Sequence, residues 1–289
     1  MILEKESELG VLRNFYNNPF DYFSISEISE KTNLSRNWIY RITSKFEKNG
    51  ILSISAKRFK LDFSNLFCKR LKLLFDAEYL NSLDKSTKER VFSIANRIIF
   101  ETAPKSVVLV GSVAYNTQNK ASDIDFLVIA EKKEMPFFEN CNIVLLSEAE
   151  FKEKYLKGDD FIISALLFGK IIFDEAIFIK YFENPLPIFS QELIQEKIKY
   201  CEKLEERIYI LLKTDERKAQ EELLYLALQV ARIILVKKGI TPKTKHEIAE
   251  QVKQLNGKLA GIIKNLLENK KVAKEKMLDY LRVCVGEIR

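Results

Sequence analysis

Along the first sixty residues, apolar side chains recur at helical intervals and are interrupted by residues that stop helices. Leu9, Val11, Leu12, Phe15 and Tyr16 predict a helix over about residues 7–16, which Asn17-Asn18-Pro19 ends because proline cannot continue it. Ser24 to Thr32 reads as a short second helix, Asn33-Leu34 as a tight turn, and Ser35 as the cap of a third helix that runs to Asn49-Gly50. Ile51–Ser55 and Phe59–Phe63 then alternate as two strands about a turn at Ala56-Lys57-Arg58. In the third helix a spacing of four turns Trp38, Ile42 and Phe46 inward, leaving Arg36, Asn37, Tyr40, Arg41 and Ser44 outside.

Two amphipathic helices follow, near residues 64–79 and 84–101, and Pro104 marks the exit. The period then changes. Ser106–Val110 is a continuous apolar run of the kind found in a strand covered on both faces, and Gly111-Ser112 follows it at once. Asp123-Ile124-Asp125 opens a second apolar strand, and Asn142–Leu146 reads as a third. Ser147 and Glu150 form a capping box for a helix to about Leu156, Asp160–Phe168 is a further helix, and Lys170–Phe173 a last strand. Past the linker Asn184-Pro185-Leu186-Pro187 strand signals vanish, and helices are expected near 190–213, 215–238, 245–255, 258–269 and 273–285.

A chain of 289 residues with 47% hydrophobic and 30% charged side chains is expected to be soluble and globular, with more than one domain. The net charge is +6, and the stretch from Arg36 to Lys60 holds seven basic residues against Glu47 alone, so the excess sits where phosphate contacts would be made. Four scattered cysteines and one histidine, His246, do not assemble a disulfide framework or a zinc site of standard spacing. His246 is expected to cap or pack at a helix start. The first residues do not read as a signal peptide, and Phe161–Phe173 is too short to span a bilayer. A cytoplasmic location with no membrane partner is the expectation.

Asp123 and Asp125 lie two apart on a strand, so both project from one face while Ile124 turns into the core. Such a pair repels itself unless a cation neutralises it, and its hard oxygens suit Mg²⁺, or Mn²⁺, carrying a substrate's phosphates. Gly111 has no Cβ to keep phosphate from the backbone, and Ser112 adds N–H and hydroxyl donors.

The stretch from Gly111-Ser112 to Asp123-Ile124-Asp125 resembles the signature of minimal nucleotidyltransferases of the DNA polymerase β-like superfamily. The resemblance implies that Gly111 and Ser112 hold a nucleoside triphosphate, that Asp123 and Asp125 are catalytic and bind the metal, and that Ser122 orients the strand end or caps the loop. It also implies a third carboxylate on the next strand. Here that position is Asn142, whose amide can ligate a metal but cannot take a proton, with Glu139 nearby as a substitute. Asn116 stands where the family usually has glycine, and asparagine tolerates a left-handed backbone well.

Residues 1–63 resemble winged helix-turn-helix domains of prokaryotic regulators, which implies double-stranded DNA as a partner of Ser35, Arg36, Asn37, Tyr40 and Arg41; the same module can also serve protein contact or dimerisation. The C-terminal helices resemble, more loosely, the HEPN-type domains that accompany nucleotidyltransferases, without the arginine that precedes the histidine in nuclease members. The expected fold is α+β and multidomain: a winged helix-turn-helix over 1–63, a helical connector over 64–103, a small mixed-sheet nucleotidyltransferase domain over 104–183 and a helical bundle over 188–289.

The expected function is Mg²⁺-dependent transfer of a nucleoside monophosphate from a nucleoside triphosphate to a hydroxyl acceptor, with a DNA-binding module attached. The alternative is a catalytically weakened, DNA-binding regulator resembling an antitoxin-like repressor, with a toxin-like partner or a homodimer.

Overall fold

Local caps set the ends of the first helices. Helix α1 (Glu6–Tyr16) carries Glu8 at its third position, and the Glu8 carboxylate accepts the Lys5 N–H. Helix α2 (Ile25–Thr32) opens on a capping box in which Ser24 Oγ accepts the Glu27 N–H and Glu27 accepts the Ser24 N–H. Asn33 then turns left-handed, at φ 55°, and Ser35 Oγ caps helix α3 (Arg36–Lys48) by accepting the Trp38 N–H.

The buried stripe of α3 is Ile39, Ile42, Thr43 and Phe46, one residue round from the expected stripe. Trp38 is half-buried and holds the helix from the side: its Nε1 donates to Ser7 Oγ at 3.2 Å and Lys5 Nζ lies 4.4 Å from its ring. The rotation is possible because Thr43 buries its hydroxyl without an orphan, donating it to the Ile39 carbonyl at 2.9 Å.

Strands β1 (Leu52–Ser55) and β2 (Arg58–Leu61) pair antiparallel with Ser55 opposite Arg58. The turn is therefore only Ala56-Lys57, both left-handed at φ 49° and 62°, and Arg58 belongs to the strand rather than to the turn. A two-residue turn of this hand matches the twist of the strands it joins.

The computed structural model describes residues 3–117, 123–131, 135, 137–245, 247–268 and 271–288. Two compact units emerge, Met1–Lys152 with Ala165–Leu186, and Glu153–Ser164 with Pro187–Arg289. In the first unit, α4 (Leu66–Ser82) and α5 (Lys85–Thr102) lead to β3 (Ser106–Val110), every residue of which is buried. A single helical turn, α6 (Gly111–Ala114), follows directly, and then come β4 (Ile124–Ile129) and β5 (Cys141–Leu146). After α7 (Glu148–Lys157) and α8 (Asp160–Phe168), β6 (Lys170–Asp174) returns to the sheet.

Among the described residues the larger sheet has four strands in the order β5-β4-β3-β6. It is mixed: β3 is antiparallel to β4 and β6, while β4 and β5 run parallel. Val107, Leu109, Ile124, Phe126 and Val128 face a core closed by Val91, Ala95 and Ile98 of α5 and Leu80 of α4.

In the second unit α9 (Gln191–Thr214), α10 (Glu216–Lys237), α11 (Ile248–Lys253), α12 (Gly257–Leu267) and α13 (Lys274–Gly286) share one apolar core that includes Leu204, Leu223, Ala231, Ile263 and Leu281. Asp160, buried at the start of α8, accepts from Lys197 of α9 at 2.7 Å and from Arg232 of α10 at 3.1 Å. These two cations hold its carboxyl below the usual range against the burial that would raise it. Among the described residues no helix is long and apolar enough to cross a membrane.

Candidate active site

The end of β3 and the start of β4 lie side by side, with Val110 opposite Asp125 in the antiparallel register. Directly after Val110 the chain turns at Gly111, which is left-handed at φ 71°. A Cβ there would lie 2.0 Å from Asp125 Oδ2, so the position requires glycine twice over. The turn then winds α6, with the Tyr115 N–H donating to the Gly111 carbonyl and the Thr117 N–H to that of Ser112. Asn116 ends it in the left-handed region at φ 58°, the conformation in which it stands for glycine.

Asp123 is exposed just before β4, Asp125 is half-buried, and Ile124 between them is in the core, as strand alternation requires. On the other side of β4 the parallel register sets Asn142 beside Asp125. Asn142 Nδ2 donates to Asp125 Oδ1 at 2.9 Å and reaches Asp123 Oδ2 at 3.4 Å, so one amide spans both carboxylates.

Among the described residues no three His, Cys, Asp or Glu side chains gather into a metal cage, and Glu139 lies exposed in the loop before β5. The negative pair is felt next door. Burial pushes the Cys141 thiol up to about 11, with Asp125 and Asp123 pushing the same way and Arg90 against them. Ser122 and His246 lie outside the described residues.

Residues that no local motif marks support this corner. Tyr79, on α4, donates its hydroxyl to the Val113 carbonyl, and the Tyr115 ring packs on Phe168 at 4.4 Å between centroids. Beneath Tyr79, Lys170 Nζ lies 4.8 Å from the ring. A buried Lys72–Asp76 pair ties α4 to β6, because Asp76 Oδ2 also accepts the Ile171 N–H at 3.0 Å. The only sequence signal for these groups is that charged residues interrupt otherwise apolar faces.

The outer face of α3 holds Arg36, Asn37, Tyr40 and Arg41, all exposed, with Tyr40 60% accessible, and Ser35 serves as the helix cap. Of the seven basic residues from Arg36 to Lys60, two are paired within the fold: Lys45 with Glu4 and Glu8, and Arg58 with Glu27. Lys60 lies over the rings of Phe20 and Tyr22. The positive surface is thus narrower than the sequence suggests.

No curated protein matches the sequence. Among solved structures, the crystal structure of a nucleotidyltransferase-like protein from Exiguobacterium sibiricum 255-15 is similar at 13% identity and a TM-score of 0.39, over 67% of this chain and 71% of that one. The family model for the nucleotidyltransferase domain matches residues 93–251. A match over more than half of the chain, taking in the strand, turn and strand that carry Gly111 and Asp125, makes this protein a member of the nucleotidyltransferase domain family.

Proposed function

We propose that the protein transfers a nucleoside monophosphate from a nucleoside triphosphate to a hydroxyl acceptor. The observation that carries this reading is the convergence of Asp123 and Asp125 on one amide beside a glycine turn that has no room for a side chain. Two carboxylates within reach of a single donor atom are also within reach of one small cation, and their hard oxygens fit Mg²⁺ or Mn²⁺. Asp123 and Asp125 would hold that ion, which when bound neutralises charge on the triphosphate and the leaving pyrophosphate.

The chain's own residues do the rest. Gly111 lets phosphate oxygens approach the backbone, and Ser112 offers its N–H and hydroxyl to them. The acceptor oxygen bonds to the α-phosphorus, the bond from that phosphorus to the bridging oxygen breaks, and pyrophosphate leaves with the electron pair. Asn142 holds the two aspartates but cannot accept the hydroxyl proton, which passes to water. Losing a general base costs roughly 10²- to 10⁴-fold, so turnover is expected to be slow.

A second reading has its own support. With Asn142 in place of a third carboxylate, and with Arg36, Asn37, Tyr40 and Arg41 exposed on one helix face before a hairpin, a weakened site on a DNA-binding regulator fits too. In both readings residues 1–63 form a winged helix-turn-helix that binds duplex DNA, residues 64–103 connect, residues 104–183 carry the transfer site, and residues 188–289 form a HEPN-like bundle for an acceptor, a partner protein or a second copy.

The test is incubation with each α-labelled nucleoside triphosphate and Mg²⁺ or Mn²⁺, following label onto the protein itself, cell extract and RNA, with Asp123→Asn/Asp125→Asn as control. Aspartate-dependent transfer supports the enzyme. Nucleotide binding without transfer, together with salt-dependent duplex binding lost in Arg36→Ala/Arg41→Ala, supports the regulator.

A further inference from the structure

The Gly-Ser turn has a weakness that its sequence does not solve. Helix α6 is only Gly111–Ala114, and one isolated turn fixes several dihedrals for very few hydrogen bonds, so it does not hold its shape unaided. Its value for phosphate binding depends on where the Ser112 and Val113 N–H groups point. Something outside the segment must set that direction.

We propose that Tyr79 is a positioning residue for nucleotide binding, acting through the turn and not on the substrate. Its hydroxyl donates to the Val113 carbonyl, the same oxygen to which the Asn116 N–H donates at 3.4 Å, so one side chain holds the end of the helical turn beside its left-handed exit at Asn116. Tyr79 is itself held rigidly. Its ring is half-buried against the core beneath the sheet, with Lys170 Nζ 4.8 Å from its centre. The helix that carries it is fastened to β6 by the buried Lys72–Asp76 pair, through Asp76 to the Ile171 N–H and through Lys72 to the Gly169 carbonyl at 3.4 Å.

At its other end α4 is joined to the N-terminal helices and hairpin: Tyr16 Oη donates to the Cys68 carbonyl at 2.6 Å, and Asn65 Nδ2 donates to the Gly50 carbonyl at 2.9 Å. Helix α4 also precedes the residues matched by the family model, 93–251. The brace on the phosphate turn is therefore supplied by this chain's own N-terminal extension.

This inference rests on the nucleotidyltransferase reading, and the test separates the two. Full-length protein, Tyr79→Phe and Tyr79→Ala are titrated with each Mg²⁺–nucleoside triphosphate by calorimetry, and melting temperature, KM and kcat for pyrophosphate release are measured alongside. Tyr79→Phe keeps the ring and its core contacts but loses the hydroxyl. It is expected to melt no more than about 4 °C below wild type, to raise the nucleotide Kd and KM by about 3- to 10-fold, the effect of one net hydrogen bond, and to keep kcat within about twofold at saturation. Tyr79→Ala is expected to lose affinity and stability together, with phenylalanine restoring only the stability.

A Tyr79→Phe Kd equal to that of wild type overturns the positioning role, as does a fall in melting temperature with no change in Kd. If wild type binds no nucleotide and gives no transfer, the nucleotidyltransferase reading fails first and the role of Tyr79 with it.

Discussion

Gly111 and Asp125 are packed so closely that a Cβ on the glycine would stand 2.0 Å from Asp125 Oδ2 and 2.8 Å from its Cγ. The glycine turn and the carboxylate that faces it thus occupy complementary space. Gly111→Ala meets that clash and a left-handed backbone at once. Because misplacing a reacting group by about 1 Å can cost on the order of 100-fold, the variant is expected to lose label transfer by at least about that factor. Circular dichroism should show the fold retained, since the change sits past the last residue of β3 and not within a strand.

Asn142→Asp replaces the amide that spans Asp123 and Asp125 with a third carboxylate. Without metal, three like charges meet, one of them takes up a proton more readily than usual, and the variant should melt below wild type at neutral pH and recover as pH falls. Added Mg²⁺ should raise its melting temperature more than that of wild type. On the proposed transfer reaction, the added carboxylate can take the acceptor proton, and transfer should rise by about tenfold or more, read by the same label assay.

Lys170 gives a pH dependence with a definite sign. Burial, and then the like charge of Lys72, bring its amine from 10.5 down to about 8, while Asp76 opposes the shift. Between about pH 8 and 10.5 the unfolded chain therefore binds more protons than the folded one, and stability from this group rises with pH across that window. Below pH 8 the full penalty of the half-buried charge is present, on the order of 3 kcal/mol. Lys170→Met should raise stability to urea at pH 7 and much less at pH 10.

The hairpin turn Ala56-Lys57 holds two side-chain-bearing residues in the left-handed region. Each costs roughly 1 kcal/mol there, and Asn-Gly removes most of that cost. Ala56→Asn/Lys57→Gly should raise stability by about 1–2 kcal/mol in urea unfolding.

The elements that depend on neighbours in sequence were legible before the fold was known. The capping box Ser147/Glu150, the cap at Ser35 and the left-handed Asn116 follow from short-range hydrogen bonding and sterics. The stripe of α3 was less so. Spacing alone allows Trp38 or Ile39 inward, and the rotation that buries Thr43 leaves no orphan because its hydroxyl bonds within the helix to the Ile39 carbonyl. Charge counting overstated the basic face, because Lys45 and Arg58 are paired with Glu8 and Glu27, which precede them by 37 and 31 residues.

The periodicity of the helices and strands and the Gly-Ser to Asp-x-Asp spacing can be read along the chain, because these are properties of its own backbone and near neighbours. Long-range packing settled that one Asn142 amide would span both Asp123 and Asp125, that Gly111 would have no room for a side chain, and that Tyr79 would meet Val113 from 34 residues away. Those pairings come from strand register and core packing, which bring distant residues together by burying the apolar surface between them, and no local pattern encodes that choice.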